Sequence, residues 1–211
     1  MKRFRRRYYD YFSCIYERFV ALHSTDRGKG LRYFLADKTG LKKGDKVLDI
    51  CTGTGSLLSF LKEKVGVKGL VAGVDFSIGM LKIGKSKIPH HDNIYLILAD
   101  VAYLPFKNII FDAVTCSHAF YELKGLTQDY CLYEIVRVLK PGRPFLMMEH
   151  DVPKNFLIRM LFYLRLLSMG TKKALEILRH ERELLMRYFR SVEKIYTPTG
   201  RSKVMICRGR G

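Results

Sequence analysis

The stretch from Lys46 to Leu58, KVLDICTGTGSLL, constrains the rest of the chain most. Val47, Leu48 and Ile50 form a short apolar run, as expected of a parallel strand buried on both faces. Gly53 and Gly55 follow, and Leu57, Leu58, Leu61 and Val65 then recur at helical spacing. Strand, glycine turn and helix together open a nucleotide-binding βα unit. Residues without a Cβ let backbone approach a ligand closely, and the helix start offers unpaired N–H groups.

A dinucleotide fingerprint would need a third glycine where Leu58 stands, and it would not need the acid, Asp49, that precedes the loop. Both features disfavour a nicotinamide-dependent oxidoreductase. Two more apolar runs repeat the pattern of a strand closing on an acid: Leu70–Val74 before Asp75, and Ile94–Ala99 before Asp100. Three strand ends carrying aspartate imply a shared site at the carboxyl edge of a sheet, where open α/β folds bind ligands. Asp75, at the tip of the second strand, suits ribose hydroxyls, and Asp100 shares that edge. Ser77 is a good N-cap for the helix that follows, and Phe76 or Met80 can pack on the base, although Met80 also suits plain core.

A fourth strand is expected over 109–116 and a helix over 127–139. Lys140-Pro141-Gly142 turns the chain into a fifth strand over 144–149. The runs around Val192–Tyr196 and Lys203–Cys207, separated by Pro198 and Gly200, read as a hairpin. Outside this core lie an aromatic helix over 2–23 with Tyr8, Tyr9, Tyr16 and His23, a second helix over 28–39, an apolar helix over 156–169 with Phe156, Met160, Phe162 and Tyr163, and a more charged helix over 172–189.

The acid before the glycine loop resembles motif I of the class I S-adenosylmethionine (SAM)-dependent methyltransferases, with Cys51 at the place of the family's first glycine. The runs Ala99-Asp100, Leu104-Pro105-Phe106, Phe111-Asp112-Ala113-Val114 and Arg137-Val138-Leu139-Lys140-Pro141-Gly142 are similar to the ubiquinone/menaquinone-biosynthesis C-methyltransferases. The resemblance covers about half the chain, roughly residues 46–150. It implies an α/β fold with a Rossmann-like, doubly wound, seven-stranded sheet whose last strand is antiparallel, extra N-terminal helices and a helical insertion after strand five. The expected organisation is a single domain: a helical cap over 1–40, a SAM-binding core over 41–150, a helical lid over 151–190 and a C-terminal hairpin over 191–211. The cofactor set is Asp49, Cys51, Thr52, Gly53, Gly55, Asp75, Phe76, Met80, Asp100, Val101 and Cys116.

The acceptor is expected across the tip of the fourth strand, at Cys116-Ser117-His118-Ala119-Phe120-Tyr121-Glu122. C-methylation of a phenol-like ring needs an ionised hydroxyl, and His118 is the nearest group with an ordinary pKa near neutrality. Tyr121, Glu149 and His150 are alternatives. His118 also reads as a plain lining residue or helix cap. Tyr16, His23, His118, Tyr121, Phe156 and Met160 make up the expected acceptor wall.

Composition widens the set of partners. Lys and Arg number 38 against 20 Asp and Glu, a net charge of +18. Such a surface suits anionic partners, either an acidic membrane face or nucleic acid, although a generally basic proteome gives the same balance. Methylation of a phospholipid amine, methylation of RNA and a non-catalytic SAM-binding scaffold therefore stand as alternatives. Against RNA, no binding module is appended, and no Asn-Pro-Pro-Tyr-like motif follows strand four. The 5 cysteines form no Cys-x-x-Cys pair, and no metal site is expected. The basic start lacks an apolar signal region, and no apolar run reaches the ~20 residues that span a bilayer. A cytoplasmic location is expected, with peripheral contact to an anionic membrane as an option through Arg159 and Arg165.

Overall fold

The computed structural model describes residues 10, 30–88, 93–123, 125–151, 160, 180–198, 200 and 202–211. Seven strands form one sheet: β1 (Lys46–Ile50), β2 (Leu70–Asp75), β3 (Ile94–Leu98), β4 (Ala113–Ser117), β5 (Phe145–His150), β6 (Phe189–Tyr196) and β7 (Ser202–Arg210). Their order is β3-β2-β1-β4-β5-β7-β6. Strands β1 to β5 pair in parallel, and β7 runs antiparallel to both β5 and β6. The described helices are α1 (Gly30–Lys38), α2 (Leu58–Val65), α3 (Ile78–Lys87) and α4 (Leu126–Val138), with a 3-10 turn at Phe120–Glu122. Residues 180–186 are also helical.

Alternation along the strands divides the core into two layers. Leu48, Ile50, Val114, Cys116, Phe145, Met147, Met205 and Cys207 face one way, against Leu132 and Ile135 of α4 and against Leu185. Val47, Val71, Ala113, Leu146, Met148, Val204 and Ile206 face the other way, against Leu31 and Leu35 of α1 and Leu58, Leu61 and Val65 of α2. Helices thus cover both faces, so the parallel strands read as continuous apolar runs rather than alternating ones. The doubly wound sheet, its antiparallel β7 and the terminal hairpin are as expected from the sequence.

Two boundary differences bear on the site. The fourth strand starts at Ala113 rather than at 109, because Ile109 sits in left-handed backbone at φ 58° and Phe111 makes only an isolated bridge to Leu139. The apolar run Ile109–Phe111 looks strand-like but is the approach to the sheet. Similarly β3 ends at Leu98, so Asp100 lies in the loop beyond the strand. The expected helices over 2–23 and 156–169, and most of that over 172–189, lie outside the described residues.

Candidate active site

The parallel register brings the carboxyl ends of β1, β2 and β4 side by side. Asp49 on β1 pairs with Gly73 on β2 and Thr115 on β4. Asp49 is buried at 2 % exposure, and the Thr115 hydroxyl donates to its Oδ1 at 2.7 Å. Burial pushes the Asp49 carboxyl up to about 6, with the Thr52 and Thr115 hydroxyls pulling the other way and Asp75 reinforcing it. Next to it, the Gly53 N–H donates to Asp75 Oδ2 at 2.8 Å and the Ser77 N–H donates to Asp75 Oδ1 at 2.9 Å. A carboxylate has room for about four such bonds, so Asp75 keeps acceptor capacity. Burial raises its pKa, against the pull of those backbone donors.

The loop between β1 and α2 is held open by backbone geometry. Cys51, Gly53 and Gly55 all have positive φ, at 52°, 56° and 70°. Cys51 therefore adopts the left-handed conformation for which glycine is the ordinary choice. A Cβ on Gly53 would meet nothing within 4 Å, so its backbone faces open space. Ser77 caps α3, accepting from the Met80 N–H at 3.3 Å. Asp100 Oδ1 accepts from the Ala102 N–H at 3.0 Å, and the Ala99 N–H donates to the Asp75 carbonyl at 3.1 Å, which ties the third strand's end to the second. Open backbone at Gly53, acceptor capacity on Asp75 and a buried acid at Asp49 suit a ligand that carries hydroxyls and positive charge. Met80, Val101 and Cys116 are buried at 3 %, 6 % and 0 % exposure. Cys116 lies wholly within the core, with its thiol pushed well above the usual range by its contact with Cys51 and by burial.

The tip of β4 meets β5. His118 takes left-handed backbone at φ 53°, its N–H donates to the Met148 carbonyl at 2.7 Å, and its ring stacks on His150 with centroids 4.2 Å apart. Its Nδ1 is shut off from solvent and has no hydrogen-bond partner. Burial, then His150 and Arg32, push its pKa well below the usual histidine range. His118 is thus held neutral at neutral pH, as a base must be, but with a lower pKa than its sequence context suggests, which makes it a weaker base than an ordinary histidine. On the opposite face of β5, Glu149 Oε1 accepts from the Phe120 N–H at 2.8 Å and so pins the turn that carries Tyr121. Burial, and more weakly Glu181, drive the Glu149 carboxyl well above its ordinary range. Tyr121 is buried at 7 % and Met160 is 46 % exposed. Tyr16, His23 and Phe156 lie outside the described residues.

Sequence reasoning did not single out Thr115, although it fixes Asp49. Its signal exists only once β1 and β4 are paired in register. Nor could periodicity reveal that Cys51 and His118, two of the three described non-glycine residues with positive φ, close β1 and β4 at this edge.

The chain is 36% identical over 151 residues to a demethylmenaquinone methyltransferase of Staphylococcus epidermidis, covering 71% of this chain and 61% of the relative. It is 37% identical over 140 residues to one of Staphylococcus aureus, covering 65% and 56%. It thus spans about three-fifths of the length of these curated relatives. In fold it is similar to a Haloferax volcanii putative methyltransferase solved with the Trm112 methyltransferase activator (TM-score 0.71, 16% identity, 96% of this chain and 98% of that one). It is also similar to a SAM-dependent methyltransferase of Aquifex aeolicus (TM-score 0.62, 20% identity, 89% and 92%). The family and this fold imply S-adenosyl-L-methionine as cofactor. The ubiE/COQ5 methyltransferase family model matches residues 6–171, and with the seven-stranded sheet and its acid-lined edge this shows that the chain belongs to the ubiE/COQ5 methyltransferase family.

Proposed function

We propose that this chain is a SAM-dependent methyltransferase acting on a ring carbon of a small hydrophobic acceptor, a quinone precursor of the demethylmenaquinone type. The observation that carries the reading is the meeting of Asp49, Gly53 and Asp75 at one sheet edge, tied by the Gly53 N–H to Asp75 bond of 2.8 Å, in a chain whose relatives are demethylmenaquinone methyltransferases. When bound, the cofactor supplies an electrophilic methyl on a sulfonium; the protein supplies position and solvent exclusion. Asp75 holds the ribose hydroxyls, Asp100 the adenine amine, and Asp49 the positively charged end. Gly53 and Gly55 let the backbone close on the ligand. Half-buried Phe76, with buried Met80 and Val101, would flank the base.

On the acceptor side, His118 and Tyr121 stand at the tip of β4. The unpartnered Nδ1 of a neutral His118 is offered as a hydrogen-bond acceptor to the ring hydroxyl, which polarises that hydroxyl and enriches the ring carbon as a nucleophile. The +18 net charge supports contact with an anionic membrane, where a prenylated acceptor resides; among the described residues no helix is long and apolar enough to cross one.

Incubation with methyl-labelled SAM and fractionated extract tests the reading. Label in a lipid-soluble quinone is expected. Label in RNA, in phospholipid or in a polar small molecule overturns the acceptor assignment, and no incorporation anywhere favours a scaffold. Asp75→Ala should weaken SAM binding well beyond tenfold by calorimetry. Unchanged affinity would remove Asp75 from the site.

A further inference from the structure

Asp10 lies far from the acid-lined edge in sequence but not in space. Its Oδ1 accepts from the Ser77 hydroxyl at 2.6 Å and from the Gly79 N–H at 3.0 Å, across separations of 67 and 69 residues. Both donors belong to the start of α3, immediately after Asp75. Ser77 is thus engaged three ways: its N–H donates to Asp75 Oδ1 at 2.9 Å, its hydroxyl oxygen accepts from the Met80 N–H at 3.3 Å, and its hydroxyl proton goes to Asp10. A continuous line of hydrogen bonds therefore runs from Asp10 through Ser77 to Asp75 and on to the Gly53 N–H.

We infer that Asp10 is a positioning residue of the cofactor site, orienting Ser77 so that Asp75 keeps its free acceptor positions turned toward the ribose of SAM. This rests on the proposed function. The physical argument has two parts. First, a helix N-terminus leaves backbone donors unsatisfied, and the Asp10 carboxylate takes the one on Gly79 while its negative charge is favoured at that end of α3. Secondly, the Ser77 hydroxyl must place its one proton somewhere. With Asp10 present that proton goes to Asp10. Without Asp10 the hydroxyl loses this acceptor and is free to turn, which loosens the residue whose N–H aligns the Asp75 carboxylate. A charge-assisted bond of the hydroxyl–carboxylate kind is short and strong, in keeping with the 2.6 Å separation. The Asp10 carboxylate touches no cofactor atom in this scheme; it acts through Ser77.

The test is calorimetric titration of SAM, and of methylthioadenosine as a probe of the adenosine end alone, into the full-length wild type, Asp10→Ala, Asp10→Asn, Ser77→Ala and the double variant Asp10→Ala/Ser77→Ala. Melting temperatures without ligand are measured alongside. Asp10→Ala should weaken both ligands roughly tenfold, the scale of one lost hydrogen bond to a charged group. Asp10→Asn keeps an oxygen acceptor and should recover affinity to within about threefold of wild type. The double variant should bind no more weakly than Ser77→Ala, because the two residues act in series. An Asp10→Ala protein that binds both ligands as wild type does, whether or not its melting temperature drops, overturns the proposal and leaves Asp10 a structural tether only. So does full additivity in the double variant. If Asp10→Ala does not fold, Asp10→Asn and the Ser77→Ala comparison decide. Failure of the wild type to bind SAM at all overturns the proposed function itself, an outcome distinct from any difference among variants.

Discussion

Asp49 shows how one buried side chain sets stability against function. Its carboxyl is raised from an ordinary 3.8 to about 6, so the folded protein holds that proton more tightly than the unfolded chain does. Stability from this group is therefore intact below pH 3.8 and is lost as pH rises towards about 6, a loss of about 3 kcal/mol. A cationic ligand beside Asp49 favours the ionised form. SAM affinity is accordingly expected to fall as pH is lowered through about 6, and Asp49→Asn should bind SAM weakly with little pH dependence between pH ~5 and ~8. The same variant should be the more stable one at pH ~8 without ligand, since the Asn oxygen still accepts from Thr115 and no charge is buried. Calorimetry and denaturant melts across that range check both halves.

Among the elements, the join between α4 and the loop before β4 is held by one guanidinium. Arg137 donates through Nε to Glu134 Oε1 at 2.7 Å, through Nη1 to the Phe106 carbonyl at 2.7 Å and to Asn108 Oδ1 at 2.8 Å, and through Nη2 to the Leu104 carbonyl at 3.0 Å. Glu134 in turn accepts from the Leu104 N–H at 2.6 Å, and its carboxyl is held below the usual range mainly by Arg137. This clip fixes the Leu104–Asn108 run that follows Asp100. Only a planar fork with several donors reaches all these acceptors. Arg137→Ala should cost about 2 kcal/mol by urea unfolding, and Arg137→Lys should recover less than half of it. The Arg137-Val138-Leu139-Lys140-Pro141-Gly142 run, read from sequence as a family mark, thus has a mechanical role: Lys140 also donates to both Asp112 oxygens at 2.9 Å, and Asp112 accepts from the Lys46 N–H at 3.0 Å, tying the starts of β1 and β4.

Across the whole molecule, the helical residues 180–186 are joined to the sheet by a buried charged group. Lys203 on β7 contacts Glu181 and stands directly opposite Glu149 on β5. All three are buried, at 2 %, 4 % and 1 % exposure. Burial raises both carboxyls, and Lys203 pulls Glu181 back down. Removing the Lys203 ammonium leaves the buried Glu181 without its ion-pair partner. Lys203→Met is expected to cost about 3 kcal/mol at pH ~8. The cost should be smaller at pH ~5, because burial raises both carboxyls, so on acidification they take up protons in the folded state before they do in the unfolded chain, and a protonated acid no longer needs the ammonium. Chemical denaturation at the two pH values measures this. Glu149 also pins the Phe120–Glu122 turn beside His118, so the same variant reports on whether the hairpin supports the acceptor edge.

The local elements followed from the sequence because each rests on local chemistry. Apolar runs flanked by glycine and aspartate, helical spacing after Gly55, the Ser77 cap and the Lys140-Pro141-Gly142 turn need no distant partner to be read. The sheet's antiparallel last strand came from resemblance, since pairing order is a matter of which edges meet. What tertiary structure decided was every property that depends on a neighbour far along the chain. Thr115 fixes Asp49 only because β1 and β4 lie in register. The His118 pKa is low because the ring is desolvated and stacked on His150, whereas its sequence context gave it an ordinary pKa. Asp10 reaches Ser77 across 67 residues. Hydrophobic periodicity reports which face of an element is buried; it carries no information on charge, proton position or hydrogen-bond partner, because those are set by distance and dielectric in the folded state.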